Sequence, residues 1–260
     1  MELPNIPIPP NTPNITNTPN TPNLPNTPNI TNTPTPPSTP NTTNIPNTPN
    51  IPTTPIKTNI MEIRSLDQLD LKKHYTYGEY LMWRLEERVE LLKGKIFKMS
   101  PVPNVLHQKI SSNIQREISW FLKKSPCKVF AAPFDVRLPL PKNLQKKGFT
   151  SDKVDTVVQP DICIVCDENK LDVQGCNGAP DLIVEILSPG NSKKEMRDKY
   201  EIYELAGVKE YWVVFASVHV LQRYILINNK YVPQLPNVQG DKVGITFLSG
   251  FELLVDEVFE

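Results

Sequence analysis

Two carboxylates in this sequence stand where a carboxylate is costly. Glu185 lies in the middle of Leu182–Leu187, inside the stretch Ala179-Pro-Asp-Leu-Ile-Val-Glu-Ile-Leu-Ser-Pro189, and its five companions in that run are all apolar. Asp161 opens a second run, Asp-Ile-Cys-Ile-Val165, which follows Val157-Val-Gln-Pro160. Short apolar runs bounded by proline and glycine read as strands buried on both faces. An ionised carboxylate inside such a strand is strongly unfavourable unless a cation or hydrogen-bond donors meet it. A buried Arg or Lys would answer that need structurally. A metal ion or an acid–base role would answer it functionally.

Geometry chooses between the two Pro-Asp pairs. Asp181 and Glu185 are four residues apart on one strand, so their Cα atoms are about 13 Å apart and cannot share one ion. Asp161 is on another strand, and if the two strands are neighbours its carboxylate converges with that of Glu185. Asp161 is therefore the candidate ligand, and Asp181 a turn or strand-entry residue. A third group comes from the helix after Glu185. In projection Met196, Tyr200, Ile202, Tyr203 and Ala206 share one arc, with Arg197, Glu201 and Glu204 opposite. Lys199 falls inside the apolar arc. Either its stem packs while its ammonium snorkels to water, or it reaches the carboxylate pair on the neighbouring sheet.

The elements that must position these groups follow from pattern. Thr76 can cap a first helix from Tyr77 to about Glu87. Val89–Met99 reads as a hairpin turning at Lys93-Gly94. A longer helix, about Val105–Lys123, carries Leu106, Ile110, Ile114, Ile118 and Phe121 or Leu122 as its core stripe. His107 on its flank reads as a polar surface or cap residue, with a place near the site as the alternative. Val129–Leu138 is a strand, and Lys142–Lys153 a polar, partly basic loop. After Glu185, Asn191 or Ser192 can cap a helix that runs to Ala206 and ends at Gly207. Glu210–Phe215 and Val220–Ile227 are further strands, paired through a tight turn. The expected fold class is α/β, a mixed central β-sheet flanked by helices.

The chain divides in two by composition. Leu3–Ile56 contains no charged residue, and 17 of the 28 prolines precede Lys57 in variations on Asn-Thr-Pro-Asn. With few large apolar groups to bury, residues 1–60 are expected to be a disordered repeat. Its Asn-x-Thr triplets at Asn14, Asn29 and Asn41 would be glycosylation acceptors only in a secretory pathway. No signal peptide and no bilayer-spanning apolar run is expected. Residues 61–260 suffice for one domain with its own core. Lys plus Arg and Asp plus Glu both number 28, so no bulk basic excess advertises nucleic acid. The four cysteines suit a reduced, cytoplasmic protein. Cys163 and Cys166 point to opposite faces of a strand, which makes a shared metal awkward and buried structural thiols the expectation.

A resemblance joins these features. Val89-Glu90-Leu-Leu-Lys-Gly, Met-Ser-Pro-Val-Pro followed by His107-Gln108, Ala-Pro-Phe-Asp135-Val-Arg-Leu, Val-Val-Gln-Pro-Asp161, Gly-Ala-Pro-Asp-Leu-Ile-Val-Glu185-Ile-Leu-Ser-Pro, Lys199-x-x-x-Tyr203 and Ala-Gly-Val-Lys-Glu-Tyr-Trp212 occur in that order. Together, from about Tyr75 to the C-terminus, they resemble the Uma-type family of restriction-endonuclease-like proteins in the PD-(D/E)XK nuclease superfamily. The resemblance implies a restriction-endonuclease-like core and Mg²⁺- or Mn²⁺-dependent cleavage of DNA. Asp161 matches the motif aspartate, Glu185 the acidic residue of (D/E)XK, and Glu90 the upstream glutamate that holds a second ion or orients the first shell. Two residues after Glu185 the pattern asks for lysine, and this chain has Leu187. Lys199 matches the lysine that the family carries in the next helix instead. Phe215-Ala216 departs from the Asp-Pro of many relatives.

The residue types suit phosphodiester hydrolysis, in which a hard cation on Asp161 and Glu185 would stabilise charge and activate water while Lys199 positions or deprotonates the nucleophile. The expectations that go with this reading are a DNA partner, no membrane, homodimeric assembly and a cytoplasmic location. The competing reading is a non-catalytic nucleic-acid-binding or interaction module on the same fold, which the absent (D/E)XK lysine and the balanced charge favour. A phosphoesterase acting on something other than duplex DNA is a third.

Overall fold

In the computed structural model, residues 62–99, 104–145, 147–188 and 193–260 are described. The expectations for the Asn/Thr/Pro repeat and for the caps Asn191 and Ser192 lie outside them. The chain opens with α1 (Tyr77–Tyr80), a single turn in which the Glu79 carboxylate accepts the Thr76 N–H at 3.0 Å. This helix is shorter than its sequence suggests. Arg84 N–H donates to the Ile63 carbonyl, and Trp83 is buried against the rings of Tyr75 and Tyr80, so the chain after Tyr80 is taken up by tertiary contacts. The hairpin β1 (Val89–Leu92) and β2 (Lys95–Lys98) turns at Lys93 and Gly94, both with positive φ.

The long helix α2 (Val105–Phe121) is capped by Asn104, whose side chain accepts the His107 N–H at 2.9 Å. Its stripe of Ile110, Ile114 and Ile118 is fully buried, as the 3.6-residue period requires. The expected strand over Val129–Leu138 is two strands, β3 (Lys128–Ala131) and β4 (Val136–Arg137). Pro133 between them has no N–H to give a ladder, and the two halves enter different sheets. Then come β5 (Val157–Val158), β6 (Ile162–Val165), β7 (Leu171–Asp172), β8 (Gly175–Asn177) and β9 (Leu182–Leu187). The helix α3 (Lys193–Ala206) ends at Gly207, which has positive φ. The strands β10 (Glu210–Phe215), β11 (Val220–Ile227), β12 (Lys230–Pro233), β13 (Lys242–Ile245) and β14 (Leu248–Leu254) precede a short α4 (Val255–Phe259).

The mixed central sheet has the order β12-β11-β10-β9-β6-β3, with β9 and β10 parallel and the other pairs antiparallel. A parallel pair needs a crossover, and α3 supplies it. A second sheet has the order β2-β1-β5-β4-β8-β7, and β13 pairs with β14 alone. The side chains of β9 alternate. Leu182, Val184 and Ile186 join the apolar cluster under α2, whereas Ile183 and Leu187 face the cluster under α3. The same alternation turns Glu185 towards α3. Among the described residues no helix is long and apolar enough to cross a membrane.

The cysteines differ from expectation. Cys163 and Cys176 are buried free thiols, but Cys127 and Cys166 form a disulfide across 39 residues of sequence. The cause is register. Lys128 opposes Val165, so the residues just outside that pair, Cys127 and Cys166, also meet.

Candidate active site

Three elements bring the candidate residues together. The strand β1 presents Glu90, β9 presents Glu185, and the second turn of α3 presents Lys199. All three are buried, at 2 %, 8 % and 6 % exposure, so the snorkelling reading of Lys199 does not hold. The Lys199 ammonium donates to Glu185 Oε1 at 3.0 Å and to Glu90 Oε1 at 3.1 Å, and lies 3.1 Å from Glu90 Oε2. The remaining partners are donors. Tyr203, one helical turn beyond Lys199, donates its hydroxyl to Glu185 Oε1 at 2.6 Å. The Gln159 N–H donates to Glu90 Oε1 at 2.8 Å.

Asp161 immediately precedes β6, whose Ile162 opposes Val184 in antiparallel register, so Asp161 stands beside Glu185 on the neighbouring strand. Its Oδ2 accepts the Ile186 N–H at 2.7 Å, and its Oδ1 lies 3.3 Å from His107 Nε2. Its side chain is 19 % exposed, which makes it the open end of the cluster. Asp181 takes no part. It accepts the Cys166 N–H at 2.8 Å and pairs with Lys209, as a strand-entry residue should. Glu210 is a structural counter-example on the next strand. It is fully buried, and its carboxylate is taken up by Trp212, Thr246 and Arg223.

Electrostatics follow from burial and crowding. Burial is the largest influence on Glu185 and pushes its carboxyl up to about 7; the charges of Asp161 and Glu90 add to this, against Lys199 and Tyr203. Burial opposes the charge on Lys199, but Glu185 and then Glu90 outweigh it, so the ammonium is held above the usual lysine range. For His107 too burial works against charge, and the Asp161 carboxylate, with Glu185 behind it, raises the imidazole above its ordinary value. A pocket lined by Glu185, Leu187, Glu195, Met196, Lys199 and Tyr211 leaves about 10 Å³ beside the ammonium, space for about one water. The Glu185 carboxylate and the Lys199 ammonium thus both border a space of about one water.

Three contributors lie outside the residues the sequence singles out for the site. Of the two readings of His107, the surface or cap one does not hold, because it is 7 % exposed and faces Asp161. Its position three residues before Ile110 and seven before Ile114, on the apolar stripe, was the available signal. Tyr203 follows Lys199 at a spacing of four, on the same helical face. Gln159 shows no periodic signal. Its side chain is held by Arg88, at 2.8 Å to its Oε1, and itself donates to Asp135 at 2.8 Å.

Comparisons with known proteins agree with this fold. The profile of a family described as "Uma2: Putative restriction endonuclease" matches residues 77–256. A crystal structure described as a "putative nuclease belonging to DUF820", from Anabaena variabilis, is similar with a TM-score of 0.52 and 22 % identity, covering 71 % of this chain and 97 % of that one. No curated protein matches the chain. Glu90, Asp161, Glu185 and Lys199 all lie within the matched span, and this chain belongs to the Uma2 family of restriction-endonuclease-like proteins.

Proposed function

We propose that this protein is a metal-dependent endodeoxyribonuclease of the PD-(D/E)XK type, using Mg²⁺ or Mn²⁺ to hydrolyse DNA phosphodiester bonds. The observation that carries the reading is the Lys199 ammonium, buried between Glu90 and Glu185, with Asp161 beside Glu185 on the neighbouring strand. A lysine in the helix supplies the charge that Leu187, at the usual lysine position, does not.

The donor set fits a hard cation. Asp161 and Glu185 offer carboxylate oxygens from adjacent strands. Among the described residues no three His, Cys, Asp or Glu side chains form a metal-holding group. Two carboxylates, with a backbone carbonyl, water and substrate phosphate completing the shell, is a common way to hold Mg²⁺. Such an ion supplies a water of lowered pKa and neutralises phosphoryl charge. The chain does the rest. His107 and the Ile186 N–H fix the Asp161 carboxylate, and Tyr203 fixes Glu185. Glu90 holds Lys199 through both oxygens. Because Lys199 stays protonated, its role is to orient water or phosphate oxygen as a donor rather than to remove a proton. A cytoplasmic location and homodimeric assembly go with this reading as expectations, and the Cys127–Cys166 disulfide removes the reduced-thiol ground for the first.

Calorimetric titration with Mg²⁺ and Mn²⁺, together with plasmid cleavage by the same sample, tests it. Saturable binding and nicked or linear product are expected, both lost in Glu185→Ala. The competing reading, a nucleic-acid-binding module without cleavage, draws on Glu185 Oε1 being shared by Lys199 and Tyr203. Plasmid binding without metal uptake or cleavage would establish it instead.

A further inference from the structure

The helix α2 leaves the carboxylate centre at His107 and carries a distinctive outer face. Opposite its buried isoleucines, Lys109, Ser112, Arg116 and Trp120 are exposed, and the row continues to the exposed Lys123 in the turn that follows. At 1.5 Å per residue this face runs about 20 Å from Lys109 to Lys123. Trp120 is 75 % exposed, whereas Trp83 and Trp212 are 7 % and 0 %. The Lys123 ammonium lies 5.5 Å from the centroid of the Trp120 ring. Lys124 and Lys128, just beyond, are exposed as well. Glu117 is the only acidic residue of α2. It accepts Arg116 Nε at 2.8 Å, and Asn113 accepts one further Arg116 nitrogen at 3.0 Å, which leaves guanidinium donors over. The helix α4 borders the Asn113 side, where Asn113 donates to the Val258 carbonyl, and contributes the exposed Glu257. Negative charge thus flanks one side of the face and leaves the Ser112–Lys123 side open.

We propose that this outer face of α2 binds a single-stranded stretch of nucleic acid, with Trp120 stacked on an unpaired base and Lys109, Arg116 and Lys123 against phosphates. The proposal rests on the nuclease reading and deepens it. Cations spaced along a path, with an aromatic face among them, hold single strands without reading sequence. A duplex hides the faces of its bases, so an exposed tryptophan ring selects an unpaired one. The balance of 28 basic and 28 acidic residues over the whole chain is no obstacle, because the patch is local.

Tryptophan fluorescence tests this directly, because Trp120 is the exposed indole. The full chain, in chelator so that cleavage cannot occur, is titrated with a short oligothymidylate at low and raised salt. Quenching is expected. Trp120→Ala should abolish it and weaken binding, measured by anisotropy of a labelled oligonucleotide, about tenfold. The triple variant Lys109→Glu, Arg116→Glu, Lys123→Glu should weaken binding further and flatten its salt dependence. All four side chains are exposed, so circular dichroism should be unchanged. Unquenched binding that none of these changes alters overturns the proposal. So does a Trp120→Ala variant that turns a sedimenting dimer into a monomer without changing oligonucleotide affinity, since the face would then be a self-association surface. Adding Mg²⁺ and plasmid to the same samples separates the two ideas. Cleavage without quenching removes the α2 surface alone, and the absence of both removes the nuclease reading with it.

Discussion

Lys199 and Glu90 meet at 3.1 Å although 109 residues separate them. Neither could be buried alone. The helix that carries Lys199 packs over the sheet that carries Glu185, and β1 brings Glu90 to the other side of the same ammonium. Breaking such a pair from one side is far more costly than the net worth of the pair, because it leaves an uncompensated buried charge. That asymmetry decides what each variant should do.

Lys199→Met keeps most of the stem volume and deletes the ammonium. Plasmid cleavage should fall by about a hundredfold or more, the scale of losing a positioned acid–base or charge-stabilising group. The metal-free variant should lose about 3–5 kcal/mol of stability at alkaline pH, by denaturant unfolding, because two buried carboxylates have lost their cation. The loss should shrink in acid, where Glu185 takes up a proton. Wild-type cleavage by a folded Lys199→Met protein would remove Lys199 from the chemistry.

Glu185 makes metal-free stability depend on pH. Its folded value of about 7 lies above the ordinary glutamate value of 4.5, so the folded state binds the extra proton between them. The contribution is fully present below about 4.5 and is lost as pH rises through about 7. Over that window it amounts to a few kcal/mol. Mg²⁺ must displace the same proton, so its affinity should rise with pH until about 7 and then level off. In Glu185→Gln both dependences should flatten. Urea melts and calorimetry across this range check the sign, and stability that climbs towards pH 7 would contradict it.

His107→Ala tests a positioning role at Asp161. Removing the imidazole 3.3 Å from Oδ1 leaves the Ile186 N–H as the carboxylate's hydrogen-bond partner among the described residues. Mg²⁺ affinity should fall roughly tenfold, the usual effect of losing a partner behind a ligand. Unchanged affinity in calorimetry would mean that His107 does not position Asp161.

Gly94→Val examines the hairpin behind Glu90. Gly94 has a φ of +74°, and a Cβ there would run into the ring of His74. Strained φ and the displaced ring together should cost about 1–3 kcal/mol. Because the turn sets the position of β1, cleavage should drop more than stability alone explains. A variant with wild-type thermal unfolding would show the turn to be tolerant.

The sequence by itself determined the parts that rest on local periodicity. The apolar run around Glu185, the isoleucine stripe of α2, the Lys93-Gly94 turn and the misplaced Lys199 are visible because burial repeats at 2 or 3.6 residues and any polar exception stands out. Only motif resemblance singled out Glu90, since nothing local joins it to Lys199, whereas helical projection already offered Lys199 to the carboxylates. Tertiary structure alone decided three matters. The register of β6 on β9 set Asp161 beside Glu185. The register of β3 on β6 brought Cys127 to Cys166, which the sequence had left as separate thiols. Packing of α2 over the sheet turned His107 from a flank residue into the neighbour of Asp161. The division of Val129–Leu138 between two sheets belongs with these, although Pro133 marked the break. Strand pairing is a contact between distant segments, and its register is fixed by the summed fit of many side chains rather than by any one residue.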